Sequence, residues 1–120
     1  MTREFLMAKL HGATVKVANL NYRGSVAIDE ELLEKSGMTV HEKVLVANLE
    51  NGKRSESYII KAPRGSKMIS MNGGMAHHHK VGDRVLIMTF CCLSPNEIAH
   101  HKPIVLILSK DNDIEEISSI

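Results

Sequence analysis

Short apolar runs, broken every few residues by polar or glycine-containing segments, mark most of the chain. REFLMAKLH (3–11) and ATVKVANL (13–20) read as two strands broken near Gly12, with Val15 and Val17 sharing a face of the second. VAID (26–29) follows the pair Gly24-Ser25 as the start of another strand. KVLVANLENGKRSESYIIKA (43–62) reads as a hairpin around Asn51-Gly52, the pair a type I′ turn prefers because both positions need positive φ. SKMISMN (66–72), DRVLIMTFCC (83–92) and PIVLILS (103–109) complete the strand runs. KDNDIEEISSI (110–120) reads as a polar tail that frays.

Two helices interrupt the strands. DEELLEKSG (29–37) has Asp29 as N-cap, acids in its first turn, Lys35 in its last and Gly37 closing it. SPNE (94–97) combines Ser94 as cap, Pro95 at the first helical position and Glu97 completing a capping box. Many short strands with brief helices in 120 residues predict one mainly β domain, residues 1–120, closed as a small barrel.

Composition narrows the functions. Fifteen basic and 14 acidic residues leave a net charge of +1, which gives no broad attraction for a nucleic-acid backbone. MTREFLMAKLHG at the start lacks the apolar core of a secretory leader, and no run approaches membrane length, so a cytoplasmic protein away from membranes is expected. Cys91 and Cys92 are adjacent on a strand run, so they should face opposite sides as buried or half-buried thiols of a reducing compartment. His77, His78 and His79 are consecutive, and three consecutive side chains cannot converge on one metal in a strand, and only poorly in a helix. A solvated turn or helix end is the simpler reading, and no metal is expected.

Candidate chemistry sits on several short segments. Arg54 and Tyr58 are four apart on one strand and so share a face, with Ser57 on the other unless a bulge intervenes. Lys9 and His11 share a face of the first strand. Asn72-Gly73-Gly74 is either a turn or a close approach of backbone to a ligand. Gly24-Ser25 is either an ordinary turn or something chemically sharper.

In order along the chain, KLH (9–11), NYRGSVAID (21–29), NGKR…SY (51–58), RGS (64–66), NGGMAH (72–77) and VGDRVLI (81–87) form one pattern. It resembles aspartate 1-decarboxylase, the pyruvoyl-dependent family that makes β-alanine for pantothenate synthesis. The resemblance implies a six-stranded double-psi β-barrel and a homotetramer with active sites between subunits. It also implies a precursor that cuts itself between Gly24 and Ser25 into residues 1–24 and 25–120. Ser25 becomes the pyruvoyl group, which binds L-aspartate as a Schiff base. Position by position, Tyr58 matches the proton donor and Arg54 the holder of a substrate carboxylate. Lys9 and His11 match further polar groups for substrate binding, and Asn72, Gly73 and Gly74 match the loop over the pyruvoyl end. Ser57 stands where the family has threonine, the hydroxyl that supports the oxyanion of cleavage.

Three features depart from the family pattern. Ser57 lacks threonine's methyl, which predicts slower self-cleavage. Gly74-Met75 replaces small alanines, and the His77–His79 run exceeds the pattern. Two other classes compete with the lyase: a non-catalytic β-barrel binding or regulatory module that stays uncleaved, and a metal-binding protein using His77–His79 with His100 and His101. A maturation factor is a further possible partner.

Overall fold

The computed structural model describes residues 1–119. Its strands are β1 (Arg3–Thr14), β2 (Val17–Asn19), β3 (Ser25–Asp29), β4 (Lys43–Asn48), β5 (Arg54–Ala62), β6 (Ile69–Asn72), β7 (Arg84–Leu93), β8 (Ile104–Leu108) and β9 (Ile114–Ser118). Two short helices, α1 (Glu30–Ser36) and α2 (Pro95–Ile98), and one 3-10 segment (Gly73–His78) complete it. The nine strands pair in the order β2-β6-β3-β5-β4-β7-β1-β8-β9. No helix among the described residues is long and apolar enough to cross a membrane.

Alternation decides which side of this curled sheet is core. Leu10, Ile87 and Val46 stand in register across β1, β7 and β4 and are fully buried. Val26 and Ile59 do the same across β3 and β5. The residues one step along each strand therefore face the outer side, and that side carries most of the chemistry.

Local signals hold where they are strongest. Asp29 accepts from the Glu31 N–H at 2.8 Å, and Gly37 closes α1 in the left-handed region. Both halves of the Ser94/Glu97 capping box are formed.

Several expectations change. β1 does not break at Gly12. That glycine, at φ 77°, sits where the register with β7 shifts between His11 and Ala13, so an irregularity absorbs it and the strand runs on to Thr14. Val15 consequently falls outside β2 and is buried, whereas Val17 is exposed. Only Gly52, not Asn51, takes positive φ in the β4–β5 turn. This is a longer loop closed from Gly52 N–H to the Asn48 carbonyl, with the Asn48 side chain accepting from Glu50 and Asn51. Cys91 is half-buried, but Cys92 is exposed on the other side.

The tail is not frayed as far as Ser118, because β9 pairs antiparallel with β8. Asn112 is buried before it, donating to the carbonyls of Thr14 and Lys67 and accepting from the Thr14 N–H. Its left-handed φ of 64° turns the chain into β9.

Candidate active site

Ser25 opens β3 and pairs with Asn72, the last residue of β6. Only 1% of its surface is exposed, so its hydroxyl is a buried polar group that needs partners. It donates to the Arg23 carbonyl at 3.2 Å and accepts from Asn72 Nδ2 at 3.1 Å. Asn72 Oδ1 in turn accepts from Ser70 Oγ at 2.8 Å. The amide orientation of Asn72 is thereby set, and its N–H₂ aims at Ser25 Oγ. Ser70 was not among the expected residues. Its signal is an i, i+2 polar pair with Asn72 in the otherwise apolar ISMN strand, on the face that Ser25 shares.

Gly73 explains the tight loop. Its φ is +78°, and a Cβ there would lie 2.6 Å from Gly24 Cα and 2.7 Å from Gly24 N. Backbone thus rests directly on the Arg23–Gly24 peptide, an approach only glycine allows. Gly24 itself does not occupy the left-handed region, and a Cβ on it would meet nothing within 4 Å. The steric demand for glycine at this contact therefore falls on Gly73 and not on Gly24. Gly74 is exposed with open space around it, and the Met75 side chain packs against the core.

We expect Gly73→Ala to push the Arg23–Gly24 segment away. A misplacement of about 1 Å costs roughly a hundredfold in rate, so any reaction at that peptide should slow about that much, as followed by intact mass over time. Parental behaviour in this variant would mean that the close approach is dispensable.

Tyr58 lies one strand over. β3 and β5 run parallel with Val26 opposite Ile59, so one step back Ser25 and Tyr58 stand side by side at the same end. Tyr58 is 40% exposed on the outer face, which also carries Ala27, Ile60, Ser70 and Asn72. An open cleft of about 300 Å³ lies there, lined by Val17, Tyr22, Ala27, Ile60, Ser70 and Asn72 among others. Ser57 faces the core side, as alternation requires with no register shift in the β4–β5 pairing, and its hydroxyl has no hydrogen bond among the described residues.

Arg54, Lys9 and His11 share the outer face but not the neighbourhood of Ser25. Arg54 stands in one row with Ala47, Leu86 and His11, across four strands. Lys9 stands in the next row with Met88, Leu45 and Glu56. At roughly 4.8 Å per strand, His11 is about 14 Å from Arg54 across the sheet. Arg54 is also roughly 13 Å along β5 from the level of Ser25. Burial first, then the charges of Lys9 and Arg84, hold the His11 pKa below the ordinary imidazole value, which favours a neutral ring at neutral pH. Arg84 reaches that corner by donating to the carbonyls of Gly12 and Leu108.

The histidine run divides. His77 is exposed, His78 half-buried and His79 buried, so a solvated turn describes only its beginning. Among the described residues no group of three or more His, Cys, Asp and Glu side chains is placed to hold a metal ion.

A protein-family model described as Aspartate decarboxylase matches residues 1–115. The chain belongs to the aspartate decarboxylase family. It is 46% identical over 118 residues to the aspartate 1-decarboxylase of Hyphomonas neptunium, covering 98% of this chain and 100% of that one. It is 48% identical over 119 residues to that of Exiguobacterium sibiricum, covering 99% and 94%. It is likewise 48% identical over 117 residues to that of Bacillus licheniformis, covering 98% and 92%. Among solved structures it is similar to a rationally designed protein, mkDPBB_sym_86, with a TM-score of 0.50 and 19% identity over 66% of this chain and 92% of that one. That likeness supports the double-psi β-barrel as the fold, and the family and the relatives make the chain a carboxy-lyase.

Proposed function

We propose that this protein is a self-processing decarboxylase that converts L-aspartate to β-alanine and CO₂, a step that supplies pantothenate synthesis. One observation carries the reading: a buried serine hydroxyl, held by an asparagine N–H₂, follows a peptide against which a second glycine's backbone is packed. The relatives named aspartate 1-decarboxylase supply the substrate. Nothing in the structure favours an uncleaved binding module.

The residues at Ser25 fit a pyruvoyl group made from that residue. The surroundings of Gly24 are open, the backbone of Gly73 packs on the Arg23–Gly24 peptide because it carries no Cβ, and Asn72 offers N–H to an oxygen at position 25. Such a group supplies an electrophilic carbonyl conjugated to an amide, which accepts the amino group of aspartate and takes up the electrons released with CO₂. Asn72 orients the residue at 25, and Gly73 walls the site on one side. Tyr58, beside Ser25, is placed to return a proton to carbon. The resemblance to the family implies a homotetramer, and the spacing supports a site completed by a second copy. Arg54, Lys9 and His11 lie too far from Ser25 for one chain to hold a substrate as small as aspartate with all of them. A second copy facing the outer side brings its own Arg54, Lys9 and His11 to grip the carboxylates. Guanidinium suits that task through its planar fork.

The direct test is β-alanine formation from L-aspartate by the purified, incubated protein. Absence of β-alanine from fully cleaved protein would overturn the assignment. Ser57 is tested at the earlier step. Loss of one oxyanion donor costs about two to three orders of magnitude, so Ser57→Ala should slow self-cleavage by that much, whereas Ser57→Thr should cleave at least as fast as the parent. An alanine variant cleaving at the parental rate would leave Asn72 as the donor that matters.

A further inference from the structure

The 3-10 segment that begins beside Asn72 ends at His79, and side chains from the β4–β5 turn hold that far end. Asn48 is buried. Its Oδ1 accepts the N–H of Glu50 at 2.8 Å and of Asn51 at 3.3 Å. Its Nδ2 donates to the His78 carbonyl at 3.1 Å and to Asp83 Oδ2 at 2.9 Å, and lies 3.0 Å from His79 Nδ1. Asn51 Nδ2 adds a second bond to the His78 carbonyl at 2.9 Å.

Two N–H donors on Oδ1 fix the orientation of the Asn48 amide. Its nitrogen therefore faces His79, with two hydrogens shared among the His78 carbonyl, Asp83 Oδ2 and His79 Nδ1, an arrangement that suits an unprotonated Nδ1. The neutral ring then carries its proton on Nε2, which is buried with no partner among the described residues. His79 itself is only 5% exposed. A second proton would put an N–H on Nδ1 against the N–H₂ of Asn48, replacing an attraction by a repulsion.

We propose that Asn48 and His79 form a clamp that positions the 73–78 segment, and with it Asn72 and Gly73, against the Arg23–Gly24 peptide, and that the clamp opens when His79 gains a proton. Both are positioning residues that touch neither the peptide nor the substrate. The inference rests on the self-cleavage reading above. It links the hairpin that carries Arg54 to the wall of the Ser25 site through one buried amide.

The charged or titratable groups acting on His79 are His78, beside it in the chain, and Asp83, from the turn before β7. Asp83 is itself engaged by Asn48 and by the Lys80 N–H. Burial first, and then His78, lower the His79 pKa from its ordinary value, against a smaller opposite effect of Asp83. Because the folded value is depressed, the neutral contact is complete at neutral pH. It is lost only as pH falls below the ordinary imidazole range.

The test uses the full chain, freshly prepared as precursor, with cleavage followed by intact mass across pH. Asn48→Ala and His79→Leu should each slow cleavage at neutral pH by about ten- to a hundredfold, the scale of a small misplacement. The double variant should be no slower than the worse single one, since the two act as a unit. His79→Asn keeps an acceptor where Nδ1 stands and cannot titrate. It should cleave within about threefold of the parent and lose the acid inflection that the parent shows. On the non-cleavable Ser25→Ala chain, hydrogen exchange of residues 73–79 should rise in Asn48→Ala and, in acid, in the His79 chain but not in His79→Asn. Parental cleavage by His79→Leu and Asn48→Ala, or unchanged exchange in both, overturns the clamp while leaving self-cleavage standing. A parent that never cleaves overturns the self-cleavage reading instead, and the exchange measurement then decides the clamp alone.

Discussion

Ser25→Ala should leave the chain whole indefinitely, where the parent should separate into residues 1–24 and residues 25–120. The expected contrast is all or none, because alanine has no oxygen to attack the Gly24 carbonyl. On the proposed route, Ser25 Oγ adds to that carbon, and the amide becomes an ester as nitrogen leaves and takes the proton. The buried Asn72 N–H₂ lies 3.1 Å from that oxygen before attack, and the backbone of Gly73 holds the peptide from the other side. Elimination across Ser25 then frees Gly24 as a carboxylate. Water next replaces the nitrogen at position 25, which departs as ammonia. Intact mass therefore gives a specific signature: the larger fragment is lighter by one ammonia than simple hydrolysis would leave it, and its N-terminus resists Edman degradation. Loss of the hydroxyl leaves Asn72 Nδ2 without its partner, a cost of about 1–3 kcal/mol, which a barrel of this size should tolerate. A Ser25→Ala chain that still splits at Gly24, or a parent that stays intact with and without cell extract, would refute the cleavage chemistry.

How much of this was legible depended on whether the deciding interaction was local. The Asp29 cap, the Gly37 terminator and the Ser94/Glu97 box involve residues within eight positions of one another, and all form as the pattern required. The face shared by Arg54 and Tyr58 likewise follows from alternation alone. Apart from the β4–β5 turn, which the nearby Asn48 side chain reshapes, the failures turn on contacts between distant segments. The acidic tail is polar enough to read as solvated, yet Asn112 is tied to Thr14 and Lys67 across the fold and sets up β9. Gly12 looked like a strand end because a glycine with positive φ usually is one, and only the register with β7 shows that an irregularity absorbs it.

At the site, the need for glycine at position 73 rather than 24 arises from a contact between β6's end and the loop before β3. No spacing rule reports such a contact. His79 is the clearest case. In sequence it is the third of three histidines and looks interchangeable with the first, but it is buried against the Asn48 amide, 31 residues away. The sequence pattern marked the candidate residues, and the side chains packed behind them appeared only once the chain was folded.

Tyr58→Phe should separate making the site from using it. The variant keeps the ring, so packing on the outer face and pairing with Lys43 across β4 are unchanged. It keeps Ser25, Asn72 and Gly73 untouched, so cleavage at Gly24-Ser25 and assembly should proceed at parental rates. What it removes is an O–H beside position 25. Departure of CO₂ leaves excess electron density on the carbon that bore the carboxylate, and that carbon must be protonated before the product can leave. A phenol holds its proton at neutral pH, and one placed beside the reacting residue can deliver it directly. A single general acid contributes about two to four orders of magnitude, so β-alanine formation by the cleaved variant should fall by that range with little change in KM. The competing view treats Tyr58 as barrel surface, and it predicts parental turnover for the phenylalanine variant. Arg54→Lys supplies the internal control. It removes the bidentate fork while keeping the charge, so it should raise KM for aspartate and spare cleavage. If Tyr58→Phe decarboxylates aspartate at the parental rate, the proton comes from elsewhere. The polar group to examine next is His11, which its burial and its basic neighbours keep neutral and which can hold a water in the assembled site.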